Sequence, residues 1–142
     1  MKPLLDTSVL LAGRVGTHPK HASASPWLKK VRRREVQGVI AAHSIAEAFA
    51  VLSSLPVSPR ITPSTAWTLL ERSVLARCQA VSLSASNIQQ VVRKISRQGL
   101  AGGIVYDALI AEAASKAHAE CIVTLKPADS QRVADATEIR EP

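Results

Sequence analysis

The chain has 142 residues and a net charge of +7, from 18 Lys and Arg against 11 Asp and Glu, which fits one domain over residues 1–142 that buries roughly two thirds of its unfolded surface. Apolar residues make up 46% but aromatics only 3%, so the core has to be aliphatic and recognition by aromatic stacking is disfavoured. No apolar run nears the ~18 residues of a membrane span, no signal-peptide core precedes Asp6, and two lone cysteines match no metal spacing, so the expectation is a cytoplasmic protein with free thiols, neither secreted nor membrane-bound.

In chain order, Pro3-Leu4-Leu5 reads as a short buried strand ending at Asp6, followed by a loop around Gly13 to Pro19. A helix is predicted from about His21 to Arg34, with Trp27, Leu28 and Val31 on one side. Gly38 to Ala42 is a second strand, and a helix follows from Ala46 to about Ser54, stopped by Pro56 and Pro59. Pro63 opens a helix running to about Arg77, where Trp67 and Leu70 offer an apolar surface or a piece of core. Gln79 to Leu83 is a third strand, and Ser86 to Gln98 a helix closed by Gly99. A Gly-rich approach leads to a helix from about Tyr106 to His118, then to a fourth strand, Cys121 to Thr124, and an edge strand near Thr137 to Arg140. Alternating strands and helices predict an α/β fold with a mainly parallel sheet of four to five strands.

Three of the four aspartates fall where an open α/β sheet builds sites, at strand carboxyl ends and nearby helix starts. Asp6 follows the first strand, Asp107 opens a helix, and Asp129 lies in the loop after the fourth strand. The fourth, Asp135, sits deeper in the tail, and Glu47 is placed in the first turn of the helix after the second strand. Each has an ordinary reading: Asp6 as a helix cap, Ser44 and Glu47 as a capping box, Asp107 as a macrodipole partner, Asp129 as loop chemistry. Taken together those readings weaken, because Asp6 and Asp107 are flanked by aliphatic residues on both sides and buried carboxylates are costly unless paired or metal-bound.

Four acids in one cleft repel one another and call for a cation, and an oxygen-only set selects a hard ion such as Mg²⁺ or Mn²⁺. The four histidines are dispersed, with none placed beside a candidate acid as a zinc site requires, and no phosphate-binding Gly motif or nucleophile elbow is present. With four acids set aside for metal, 18 basic residues outnumber the remaining seven acids. The runs Lys29 to Arg34 and Arg93 to Arg97 read either as solvated helix faces or as surfaces for a phosphate backbone. Glu112 faces away from Asp107 and has Lys116 at i+4 as a surface partner.

Leu4-Leu5-Asp6-Thr7-Ser8 resembles the opening strand of PIN-domain nucleases, and Ser44-Ile45-Ala46-Glu47 resembles that family's helix glutamate. Tyr106-Asp107-Ala108-Leu109 and Ile122-Val123-Thr124-Leu125-Lys126-Pro127-Ala128-Asp129 resemble its third and fourth acidic motifs, so that order and spacing agree over nearly the whole chain. The chain departs from the family pattern at Lys126, where Asn is common, and at Ser130, where an aromatic is common. The resemblance implies a three-layer α/β/α fold and Mg²⁺- or Mn²⁺-dependent cleavage of single-stranded RNA. Asp6, Glu47, Asp107 and Asp129 would be the catalytic acids, with Asp6, Asp107 and Asp129 on the metal. Thr7 and Ser8 would orient Asp6 or touch substrate phosphate, and a hydroxyl-capped turn is their plain alternative. In size the chain looks most like the VapC-type toxins of toxin–antitoxin pairs, which implies an antitoxin partner and a homodimer. A catalytically silent PIN-like RNA-binding or regulatory module ranks second, on the strength of Lys126. A doubly wound α/β domain using its acids for another purpose ranks third, since only Asp6 follows its strand directly.

Overall fold

The computed structural model describes residues Met1–Pro142. Its five strands, β1 (Pro3–Leu5), β2 (Val39–Ala41), β3 (Gln79–Val81), β4 (Cys121–Val123) and β5 (Glu138–Arg140), form one sheet in the order β3-β2-β1-β4-β5. Every pairing is parallel, with Leu4 opposite both Val39 and Ile122. The fold is therefore the expected PIN-like sheet, with the tail adding its fifth strand at an edge.

Seven helices cover the sheet: α1 (Thr7–Arg14), α2 (His21–Arg32), α3 (Ala42–Leu52), α4 (Pro63–Leu70), α5 (Ala85–Arg97), α6 (Ile104–Lys116) and α7 (Pro127–Val133). A π-helical turn, Glu71–Leu75, extends α4. The strands are three residues long and point alternate residues to opposite faces. Leu5, Ile40, Cys121 and Val123 pack under α1 to α4. Leu4, Val39, Ala41 and Ile122 meet Ile110, Ala113 and Ala114 of α6 and its cap Ala117 on the other face, and α5, α6 and α7 close a smaller cluster around Val91, Ile95, Ala108 and Val133. Two faces covered by helices explain why the strands read as continuous apolar runs. No helix is long and apolar enough to cross a membrane.

Several boundaries depart from the sequence expectations. The residues after Asp6 form a helix, α1, at once, because the Asp6 side chain caps it by accepting from the Thr7 N–H. α3 starts directly at the end of β2, four residues before the predicted Ala46. Glu47 therefore lies in the second turn, and no Ser44–Glu47 capping box forms; Ser44 is fully buried inside the helix. The loop expected around Asp129 is helical, with Pro127 in its first turn. Leu70 is core, whereas Trp67 remains 47% exposed. Lys116 donates to the Ser82 carbonyl at 2.8 Å rather than pairing with Glu112. Both cysteines are free, and burial pushes the Cys78 thiol up to about 11.

Candidate active site

The carboxyl edge of the central strands gathers the site. Asp6 leaves β1 with its N–H donating to the Val123 carbonyl at 3.0 Å, which keeps it in the ladder of β4. Its Oδ1 accepts from the Thr7 N–H at 2.8 Å, and its Oδ2 accepts from the Ser8 hydroxyl at 2.8 Å and the Thr124 hydroxyl at 2.9 Å. Those hydroxyls are themselves held, Ser8 by the Leu125 N–H at 3.1 Å and Thr124 by the Lys126 N–H at 3.0 Å. A carboxylate offers about four lone-pair sites, so three donors fix its orientation and leave about one. Thr7 is buried and donates its hydroxyl to Ser44 at 2.9 Å, tying α1 to α3. Both hydroxyls are thus engaged within the protein, Ser8 directly on Asp6.

Asp107 stands in the first turn of α6 and is 7% exposed. Burial pushes its carboxyl up; Lys126 beside it pulls down, Asp6 and Asp129 push further up, and the net direction is upward. Lys126 places Nζ 3.3 Å from Asp107 Oδ1 while its side chain stays 52% exposed. Burial works against that ammonium, but the charges of Asp107, Asp6 and Asp129 outweigh it and hold Lys126 above its ordinary value. One lysine therefore feels three aspartates, one between β1 and α1, one on α6 and one on α7. A hollow of about 340 Å³ opens here, bordered by Gly103, Ile104, Asp107, Lys126, Asp129 and Arg132.

Glu47 is engaged on its own helix. Its Oε1 lies 3.5 Å from Nε2 of His43, one turn earlier on α3, so a histidine does lie beside a candidate acid, contrary to the sequence expectation. His43 Nε2 is buried with no hydrogen-bond partner. Asp135 is engaged elsewhere, 2.7 Å from Lys94 on α5. No three His, Cys, Asp or Glu side chains come close enough to hold a metal ion as they stand, and the Lys126 ammonium sits among the acids instead. The donor chemistry nevertheless fits a hard divalent cation, since three carboxylates share one electrostatic neighbourhood and one of them is buried against its charge preference. Sequence reading missed Thr124 as a clamp on Asp6 and Lys126 as the resident cation. The available signal was a hydroxyl immediately after a buried strand, facing an aspartate in the same position one strand over.

A PIN-domain profile matches residues 2–126. The chain belongs to the PIN-domain family. Among curated relatives it is similar to Ribonuclease VapC27 of Mycobacterium tuberculosis, at 36% identity over 122 residues, 84% of this chain and 83% of the relative. It is also 30% identical over 118 residues to Ribonuclease VapC40 of the same organism, covering 82% and 81% of the two chains. Among solved structures, VapBC2 from Rickettsia felis, bound to a DNA fragment from their promoter, superposes with a TM-score of 0.71 at 19% identity over 100% of this chain and 99% of that one. At that identity the likeness concerns the fold alone.

Proposed function

We propose that this PIN-domain protein is a divalent-metal-dependent endoribonuclease acting on single-stranded regions of RNA, and the toxin of a toxin–antitoxin pair. The observation that carries this reading is the buried Asp107, with Lys126 3.3 Å away and Asp129 on the same hollow, in a chain 36% identical to a protein named as a ribonuclease. Asp6, Asp107 and Asp129 would hold Mg²⁺ or Mn²⁺, with Glu47 completing the acidic set. A bound ion of this kind lowers the pKa of a water and neutralises charge developing on phosphate oxygens. The chain's own residues do the rest. Ser8, Thr124 and the Thr7 N–H keep the Asp6 carboxylate in one orientation, so little reorganisation accompanies the reaction. Thr7 and Ser8 act in this reading as positioning residues. The net charge of +7 draws the polyanion to the protein. An antitoxin, a homodimeric state and a cytoplasmic location belong to the same proposal.

Lys126 favours one second reading, a silent PIN module whose cleft is neutralised internally by its own ammonium. The deciding experiment is RNA cleavage by wild type and Asp6→Asn, in Mn²⁺ and in EDTA. The nuclease reading expects cleavage by wild type in Mn²⁺ alone and its abolition in the variant. Cleavage that survives EDTA, or an undiminished Asp6→Asn rate, overturns it.

A further inference from the structure

The basic run Lys29 to Arg34 is not one surface. Lys30 lies with its ammonium 4.8 Å above the Trp27 ring, Arg33 faces Glu35 at 3.7 Å, and Arg34 borders a different hollow with Val36 and Gln37. Lys29 and Arg32 turn the other way. With Ser25 they follow the i, i+4, i+7 stripe of one α2 face, and they meet Arg14 from the end of α1 and Arg72 with Ser73 from the π-helical turn. Together these six residues line a concavity of about 250 Å³ whose only apolar wall is Leu28.

Three separate segments thus bring four cations into one hollow. None of the four has a carboxylate within ion-pair distance, although the chain forms such pairs at Arg33, Lys94, Lys126 and Arg140. The crowding is felt at Arg14, where burial and then the charge of Arg32 hold the guanidinium below its ordinary value. Converging cations without an internal counter-charge destabilise a fold unless something anionic offsets them. Guanidinium forks and adjacent hydroxyls suit a phosphoryl group, which accepts bidentate hydrogen bonds.

We infer that the hollow formed by Arg14, Lys29, Arg32 and Arg72, with Ser25 and Ser73, is a phosphate-binding subsite for the RNA backbone, away from the cleaved bond. α1 supplies the link. Asp6 caps its first turn and Arg14 is its last residue, so the two lie about 12 Å apart along the helix. This subsite rests on the ribonuclease reading and deepens it: recognition of RNA extends beyond the acidic cleft through backbone contacts that carry no base preference.

The test measures binding of a fluorescent single-stranded RNA in EDTA, across a salt series, by anisotropy. The variants are Arg14→Gln with Arg32→Gln, the charge-matched control Arg93→Gln with Arg97→Gln on α5, and Arg14→Lys with Arg32→Lys. The subsite predicts that the first pair weakens binding roughly tenfold and flattens the salt slope by about 0.7 for each phosphate no longer neutralised. The α5 pair should change binding less than threefold, and the lysine pair should retain most of it. Thermal melts should show the glutamine pair folded and no less stable than wild type, since neither arginine makes an internal ion pair. In Mn²⁺ the same pair should raise KM for cleavage while leaving kcat near wild type. Equal weakening by the two glutamine pairs reduces the hollow to bulk charge and overturns the subsite, as does unchanged binding by the first. Wild type that binds no RNA under any of these conditions overturns the ribonuclease reading itself.

Discussion

Lys126 poses the sharpest question at the residue scale, because it stands where an ion among three aspartates would be expected. Changing Lys126 to Met keeps the aliphatic stem and removes the ammonium that faces Asp107 at 3.3 Å. The metal-free chain should then lose stability, by about 1 kcal/mol once solvent screening of the half-exposed lysine is allowed for. Mn²⁺ should bind more tightly, because it no longer competes with a tethered cation. Urea melts in EDTA and Mn²⁺ titration calorimetry read the two effects, and weaker Mn²⁺ binding by the variant contradicts the competition. Asp107 gives a pH signature of the opposite kind. Its carboxyl is held above the ordinary value, so ionising it in the folded chain costs stability as pH rises from about 4 upward. Asp107→Asn removes that cost: in EDTA it should melt with wild type near pH 4 and above it at pH 7. Parallel profiles across that range would show that the burial cost of Asp107 is already offset by Lys126. The sequence singled out Asp6 and Asp107 through their aliphatic flanks, and both are buried in the structure. It could not disclose that Lys126 and Thr124 serve them, because those contacts join residues far apart in the chain, 118 positions in the case of Thr124 and Asp6.

Elements were legible wherever a local signal forced them. Pro63 at the start of α4, with Thr62 capping it, and Gly99 at φ +69° after α5 mark helix ends by stereochemistry that little else satisfies. α1 was not legible as an element, since its cap is Asp6, a residue equally suited to the catalytic reading proposed for it above. The early start of α3 was hidden for a different reason: its cap position, Ala41, offers no side-chain hydrogen bond. Close packing between elements is equally invisible in sequence, and Gly38 shows it. A Cβ there would lie 2.8 Å from Val31 Cγ2 and 2.9 Å from Cys78 Sγ, whereas at Gly13 it would meet the movable Leu28 tip at 2.6 Å. Val31 is β-branched and fully packed on α2, so it cannot swing aside. Gly38→Ala should therefore lower stability by about 1–3 kcal/mol, and Gly13→Ala by less, as measured by urea midpoints. A larger loss at Gly13 would mean that the α1–α2 contact, not the entry to β2, is the stiffer junction.

At the scale of the whole molecule, the parallel sheet turns separated carboxylates into neighbours. β1 and β4 lie side by side, so the residues that follow them, Asp6 and Thr124, meet at one edge, and α6 and α7 bring Asp107 and Asp129 to one hollow beside Lys126. Carboxylates that folding brings near one another repel when no cation offsets them, and Lys126 offsets part of that repulsion. An ion that binds the folded chain alone must then stabilise it by mass action, by about 2.7 kcal/mol at a hundredfold excess over its dissociation constant. For a domain of this size that is a rise in Tm of roughly 8 °C. Wild type should show such a rise with Mn²⁺ against EDTA at matched ionic strength, and Asp6→Asn should show little of it. Matching the ionic strength matters, because simple screening by Na⁺ also relieves repulsion among the acids and would otherwise imitate binding. A wild-type Tm that Mn²⁺ and Na⁺ raise equally would mean that Lys126 already satisfies the cleft, and that the acidic edge of this PIN domain holds no metal of its own.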